Sequence, residues 1–158
     1  MHRFSIDRLI GACVVAGVAL AMAPAADAQL LDFSLTQASI SFADADPDTT
    51  PSITAANVTV NYRVRQNGGG SWRITIMSGT DLISGGATIP ISNVTWTAAP
   101  APPFQPGTMS RSIAQTMASG AGNANPATTG TVVFHLANSW NYNVGVYSAT
   151  FTFTLSAP

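Results

Sequence analysis

The sequence predicts an all-β protein in which two antiparallel sheets pack as a sandwich, and three observations lead to this prediction. Apolar and polar residues alternate along much of the chain, which is the pattern of strands that bury one face. Glycine, asparagine and proline recur between the alternating stretches, as they do in turns. Glutamate and lysine, which favour helices, do not occur in the 158 residues, whereas threonine, valine and isoleucine are abundant.

The clearest strand is the stretch NVTVNYRVRQ (57–66), and a second one, SWRITIMS (71–78), follows after Asn-Gly-Gly-Gly. Because glycine and asparagine readily adopt positive φ, the sequence predicts a hairpin between these two strands. One face of each strand should be buried, which assigns to the core Val58, Val60, Tyr62 and Val64 from the first, and Trp72, Ile74 and Ile76 from the second.

Further strands are predicted at 32–42, with a change of phase in its middle, and at 131–139. In 88–98 the apolar phase slips between Ile91 and Val94, which predicts a bulge or bend near Ser92 and Asn93. The segment 107–120 is ambiguous between a strand with Ile113 inward and a short helix, and the strand is favoured. The proline-rich segment 99–107 is predicted to cross between the sheets, and 120–130 to be a loop.

The resulting count is about seven strands at intervals of roughly 10 to 20 residues, which suits an immunoglobulin-like β-sandwich. A closed β-barrel is the alternative architecture. Residues 29–158 have the length of one domain, and no internal repeat divides them.

The first 28 residues have the pattern of a secretory signal peptide. Arg3 and Arg8 precede an apolar run over 9–23, and Ala-Asp-Ala at 26–28 offers small residues to a signal peptidase. The run is too short for a membrane-spanning helix, which needs about 20 residues. We therefore expect Sec-type export, cleavage near Ala28 and a mature chain with no membrane span. The single cysteine, Cys13, lies in this leader, so the mature domain would fold without a disulfide.

The few charges of the predicted mature chain exclude several functions. Its cations are Arg63, Arg65, Arg73 and Arg111, which form no basic stripe in the sequence, so nucleic acid is not an expected partner. His135 is the only histidine after residue 28 and is predicted on the outer face of its strand, with no adjacent nucleophile motif. The expectation is a protein without catalytic residues or a cofactor.

The acidic stretch DADPDTTP (44–51) is the candidate metal site. Asp44, Asp46 and Asp48 have the spacing of the first half of a calcium loop, but the glycine and the bidentate glutamate of such a loop are missing. A turn between strands, set by aspartate and proline, is the favoured interpretation. Calcium binding stays the weaker alternative.

Trp140 and Tyr142 are the candidate ligand-binding residues. They lie in NSWNYNVG (138–145), a predicted turn rich in asparagine, where exposed rings and amides would suit sugar recognition. The other interpretation, which is favoured, is that the two rings close the end of the sandwich. Trp72 and Trp96 are in phase with core positions and are predicted to be buried.

The C-terminal stretch VGVYSATFTFTLSAP (144–158) carries a family resemblance. A Gly-x-Tyr step before an alternating, threonine-rich last strand resembles the end of bacterial secreted pilin-like and spore-coat-U-like domains. The resemblance implies an immunoglobulin-like sandwich exported as a surface or appendage subunit, with Tyr147 as the corner tyrosine that ties a connection to the last strand.

The last strand itself is predicted to complete the sandwich of its own chain. Phe151, Phe153 and Leu155 form its apolar face, and threonines form the other. The sequence therefore predicts a secreted, non-enzymatic structural or cell-surface protein that associates with copies of itself or with other surface proteins. The alternative is a carbohydrate-binding module that holds polysaccharide through Trp140 and Tyr142.

Overall fold

Twelve strands form two six-stranded antiparallel sheets in the computed structural model, which describes residues 29–66 and 68–157. Sheet I contains, in spatial order, β1 (Leu30–Leu35), β4 (Val58–Arg65), β11 (Ala124–Ala137), β8 (Val94–Ala99) and β9 (Gly107–Thr108), with β3 (Ser52–Thr54) also paired to β11. Sheet II contains β10 (Gln115–Ala121), β5 (Ser71–Ser78), β12 (Tyr147–Ser156), β6 (Leu82–Ser84) and β7 (Ala87–Ile89), with β2 (Ser39–Phe42) paired to β12.

The two sheets pack on one hydrophobic core, so the predicted all-β sandwich is confirmed. Aromatic pairs join the sheets: Tyr62 lies 4.9 Å from Trp72, and Phe134 lies 5.0 Å from Phe151, measured between ring centroids. The core assignments made from alternation are correct for both clear strands, whose inward residues are all buried. His135 lies on the outer face of β11, as predicted, between the hydroxyls of Thr54 and Thr97.

The prediction of about seven strands is too low, because several strands are short or share one alternating stretch. The stretch 32–42 divides into β1 and β2, which belong to different sheets. Its change of phase is therefore the point at which the chain crosses the sandwich.

The predicted hairpin between 57–66 and 71–78 is wrong. β4 pairs with β1 and β11 in sheet I, whereas β5 pairs with β10 and β12 in sheet II. The chain crosses from one sheet to the other between β4 and β5, where Gly68 and Gly69 supply positive φ values. Gln66 holds this crossing, since its amide donates to the carbonyls of Gly70 and Gly122.

Three further predictions for the second half of the chain are also wrong. The proline-rich segment returns to sheet I as β9, although its residues 103 and 105 form backbone hydrogen bonds with β10 of sheet II. Ile113 is 64% exposed, and Met109 and Met117 fill the core instead. The predicted loop 120–130 is mostly strand, because β11 carries a bulge around Pro126 and continues beyond it.

Of the bulge or bend predicted near Ser92 and Asn93, the bend is present, as a 3₁₀ turn over Ile91–Asn93. The leader predicted over residues 1–28 lies outside the described residues. Within the described part of the chain, no helix has the length and apolar character needed to cross a membrane.

Candidate functional site

Two loops that are far apart in the sequence meet at one end of the sandwich. The first, residues 43–51, joins β2 to β3, and the second, residues 138–146, joins β11 to β12. We call this region the acidic end. It contains both sets of residues that the sequence analysis selected, the three aspartates and the two aromatics.

Asn138 fixes the two loops to each other. Its side-chain amide donates to the backbone carbonyls of Ala45, at 2.9 Å, and Thr50, at 3.0 Å. Its backbone amide also donates to the carbonyl of Pro51. One side chain thus binds two carbonyls of the facing loop. Since Asn138 directly follows the last residue of β11, this strand sets the position of one loop relative to the other.

The acidic stretch forms the predicted turn. A carboxylate oxygen of Asp46 accepts the backbone amide of Asp48 at 2.9 Å, and its carbonyl accepts the amides of Thr49 and Thr50. This is the local pairing by which aspartate stabilises a turn. Among the described residues, no three acidic, histidine or cysteine side chains converge on a point where they could hold a metal ion. The calcium alternative for Asp44, Asp46 and Asp48 therefore has no convergent ligand set in its support.

Trp140 and Tyr142 occupy different environments. Trp140 is 69% exposed, and its indole Nε1 donates to a carboxylate oxygen of Asp48 at 3.0 Å, so the ring is held in position although water surrounds it. Tyr142 is half-buried and packs against the core. Tyr142 thus packs inward at the end of the sandwich, whereas Trp140 projects from it.

Tyr147 behaves as a corner tyrosine. It is buried, and its hydroxyl donates to the backbone carbonyl of Asn143 at 2.9 Å. The bond ties the second loop to the start of β12, which is the role that the resemblance implied. The loop is therefore anchored at Asn138 and at Tyr147, with Trp140 between the two anchors.

A cavity of about 260 Å³ opens at the acidic end between the two loops. Its floor is apolar and is formed by core side chains. Its rim offers carboxylates, amides and the Trp140 ring, which are groups that can accept, donate and stack. The lining includes Asp44, Asp46, Trp140, Tyr142, Asn143, Ile53, Ile89 and Leu136.

Sequence reasoning missed the exposed aliphatic residues beside Trp140. Val144 is 85% exposed, Val146 is 59% exposed, and Ile83, which lies opposite Ser148 in the sheet, is 49% exposed. The sequence does contain a pattern that could have identified the two valines. The alternation of β12, extended backwards from Tyr147, places both valines in phase with its outward-facing threonines, where apolar residues are not expected.

Searches against protein-family models, curated proteins and solved structures found no match to this chain. The site is therefore interpreted from its own geometry. It presents an apolar surface with a carboxylate rim, and these groups suit contact with another molecule.

Proposed function

We propose that the protein is an exported, non-enzymatic structural protein of the bacterial cell surface, of the pilin-like or coat-like type, which associates with copies of itself. The observation that carries the proposal is the concentration of exposed apolar side chains at one end. Trp140, Val144, Val146 and Ile83 are all at least 49% exposed, and they lie in or beside the 138–146 loop. Exposed apolar patches of this kind mark surfaces that bind other proteins.

The outer faces of the sheets support a structural role. Thr150, Thr152 and Thr154 are exposed on β12, and Thr95 and Thr97 are exposed on β8. Such faces bear hydroxyl groups and little charge, so they add little electrostatic repulsion when copies associate.

The test of self-association is sedimentation velocity of the purified protein over a range of concentrations. We expect concentration-dependent oligomers, and a shift towards monomer in the double variant Val144→Ser with Val146→Ser. Ile113→Ser is the matched control, because Ile113 is 64% exposed but belongs to the segment before β10 and not to the 138–146 loop. A protein that stays monomeric at every concentration would contradict the proposal.

Polysaccharide binding is the second candidate, and the position of Trp140 favours it. The hydrogen bond from its Nε1 to Asp48 fixes an exposed ring beside the exposed amides of Asn141 and Asn143. A ring held in this way can stack on a sugar while amides bind hydroxyls. A polysaccharide pull-down tests it: binding by the wild type that is lost in Trp140→Ala and retained in Ile113→Ala would replace self-association as the leading function.

A further inference from the structure

We infer that copies of the protein associate head to tail, so that the acidic end of one copy receives the opposite end of the next and assembly continues as an open filament. The inference rests on the proposed self-association and specifies its geometry. The opposite end, which we call the arginine end, contains Arg65 at the end of β4, Arg73 near the start of β5, and the crossings that join β4 to β5 and β10 to β11.

The charges that lie outside ion pairs are divided between the two ends. Two ion pairs neutralise four of the charged side chains, Arg63 with Asp32 and Arg111 with Asp81. Within residues 29–66 and 68–157, the charged side chains outside these pairs are three aspartates at the acidic end and two arginines at the arginine end. They are Asp44, Asp46, Asp48, Arg65 and Arg73.

The two ends lie far apart along the sandwich. β11 runs the length of the sandwich, from Ala124, which pairs with Val64 at the arginine end, to Ala137, which pairs with Ser52 at the acidic end. Fourteen residues of strand span roughly 40 Å at about 3.3 Å per residue. Charges that far apart are screened from each other, since the Debye length is about 8 Å at physiological salt. Only another molecule can bring these opposite charges together.

The two ends carry chemically complementary groups. The acidic end offers carboxylates, an open cavity and the exposed face of Trp140. The guanidinium group binds carboxylates in a planar arrangement and stacks on aromatic faces, and it loses less hydration than an ammonium group when it is buried. Arg65 and Arg73 are both exposed.

The arginine end can also approach closely. Its exposed neighbours include Gly68, Gly69, Ser71 and Ala121, which are small. The acidic end has an open cavity rimmed by carboxylates, and the arginine end carries two exposed cations. The two surfaces therefore complement each other in charge.

The positions of these charges also determine which symmetry the contact can have. A two-fold symmetric dimer formed through the acidic end would place the three aspartates of one copy against the same three of the other. A head-to-tail contact pairs opposite charges instead. Because each copy then keeps one unused end of each kind, such contacts propagate into a filament unless the rotation closes a ring.

The experiment uses two isosteric double variants of the purified protein. Asp44→Asn with Asp48→Asn weakens the acidic end, and the amide introduced at position 48 keeps an oxygen that can accept the Trp140 indole hydrogen. Arg65→Gln with Arg73→Gln weakens the arginine end. Arg111→Gln with Asp81→Asn is the matched control, since it removes a cation together with the carboxylate that is paired with it.

Sedimentation velocity should show that each double variant associates roughly tenfold more weakly than the wild type, as expected for the loss of two exposed charge contacts. The control should associate like the wild type. An equimolar mixture of the two double variants should form dimers and stop there, because each mixed pair has one intact contact and no second one. Raising NaCl from about 0.01 M to about 1 M should dissociate the wild type, as the Debye length falls from about 30 Å to about 3 Å.

Different outcomes would overturn self-association and the head-to-tail arrangement. If the wild type is monomeric throughout, self-association and the head-to-tail arrangement are both overturned. If the wild type associates but either double variant associates equally well, or if the mixture forms no dimers, only the head-to-tail arrangement is overturned.

Discussion

At the scale of single residues, the aromatic contacts between the sheets carry much of the packing. Phe151 of β12 is 2% exposed and meets Phe134 of β11 edge to face across the core. The alternation of β12 also placed Phe153 and Leu155 inward, and both pack against the core while remaining half-buried.

The substitution Phe151→Ala should lower the free energy of unfolding by about 3 to 5 kcal/mol, the usual loss when a core phenylalanine is truncated. Thr152→Ala, on the exposed face of the same strand, should change it by no more than about 0.5 kcal/mol. Urea denaturation of both variants measures the difference. Equal losses would mean that Phe151 does not belong to the core.

Tyr62 links packing to pH. The side chain is 2% exposed, and this burial raises the pKa of its phenol above the ordinary value of 10.0, while a side-chain hydrogen bond with Thr128 lowers it by less. The stability gained by keeping the phenol neutral is complete below the unfolded pKa, near 10, and is lost as the pH rises through the higher folded pKa.

The free energy of unfolding should therefore fall as the pH rises above about 10, and Tyr62→Phe should remove the part of that fall due to this phenol. Tyr142→Phe is the control, because it retains Tyr62 and should retain its contribution. Urea denaturation at several alkaline pH values measures the slopes. If wild type and Tyr62→Phe lose stability in parallel, the Tyr62 phenol is not kept neutral by the fold.

At the scale of elements, glycines opposite large aromatics set the fit between neighbouring strands. Gly120 of β10 pairs with Trp72 of β5, and Gly107 of β9 pairs with Trp96 of β8. Each indole lies over the backbone of the glycine, where a side chain would collide with it. This arrangement lets a short edge strand cover a tryptophan that the sandwich must bury.

The substitution Gly120→Ala should lower the free energy of unfolding by about 1 to 3 kcal/mol, because the new Cβ overpacks the site. That Cβ would lie 2.6 Å from Cζ2 of Trp72. Gly79→Ala is the matched control: no atom lies within 4 Å of its added Cβ, and its φ does not require glycine. Thermal denaturation of the two variants is the measurement, and a neutral Gly120→Ala would show that Trp72 can move aside.

At the scale of the whole molecule, the fold separates the roles of its surfaces. The sheets present hydroxyl-rich faces, while the unpaired charges and most of the exposed apolar residues lie at the two ends, within the described part of the chain. A molecule of this kind is suited to contact through its ends. The proposed role at the cell surface requires that the chain be exported.

Export makes a prediction for the intact chain. When the full chain is expressed in a bacterium with a Sec pathway, we expect the protein outside the cytoplasm with Gln29 as its first residue, because cleavage should follow Ala28. Fractionation and mass spectrometry of the intact protein test this. A chain that lacks residues 1–28 should stay in the cytoplasm, and recovery of uncleaved full-length protein there would contradict the predicted leader.

The sequence by itself determined which side of each regular strand is buried. Val58, Val60, Tyr62 and Val64 could be assigned to the core because a strand with one buried face must alternate with a period of two. The turn at Asp46 was also determined locally, because an aspartate side chain and the backbone two residues later form the same hydrogen bond in many contexts.

Only the tertiary structure decided which sheet each strand joins and what meets at the acidic end. A hairpin and a crossing both bury the same alternating face, so the pattern of β4 and β5 does not distinguish the two, and hydrogen bonds made by distant strands decide between them. In the same way, the bond between Asp48 and Trp140 joins residues 92 positions apart. Local propensity carries no information about such a contact, because it exists only once the two sheets have packed.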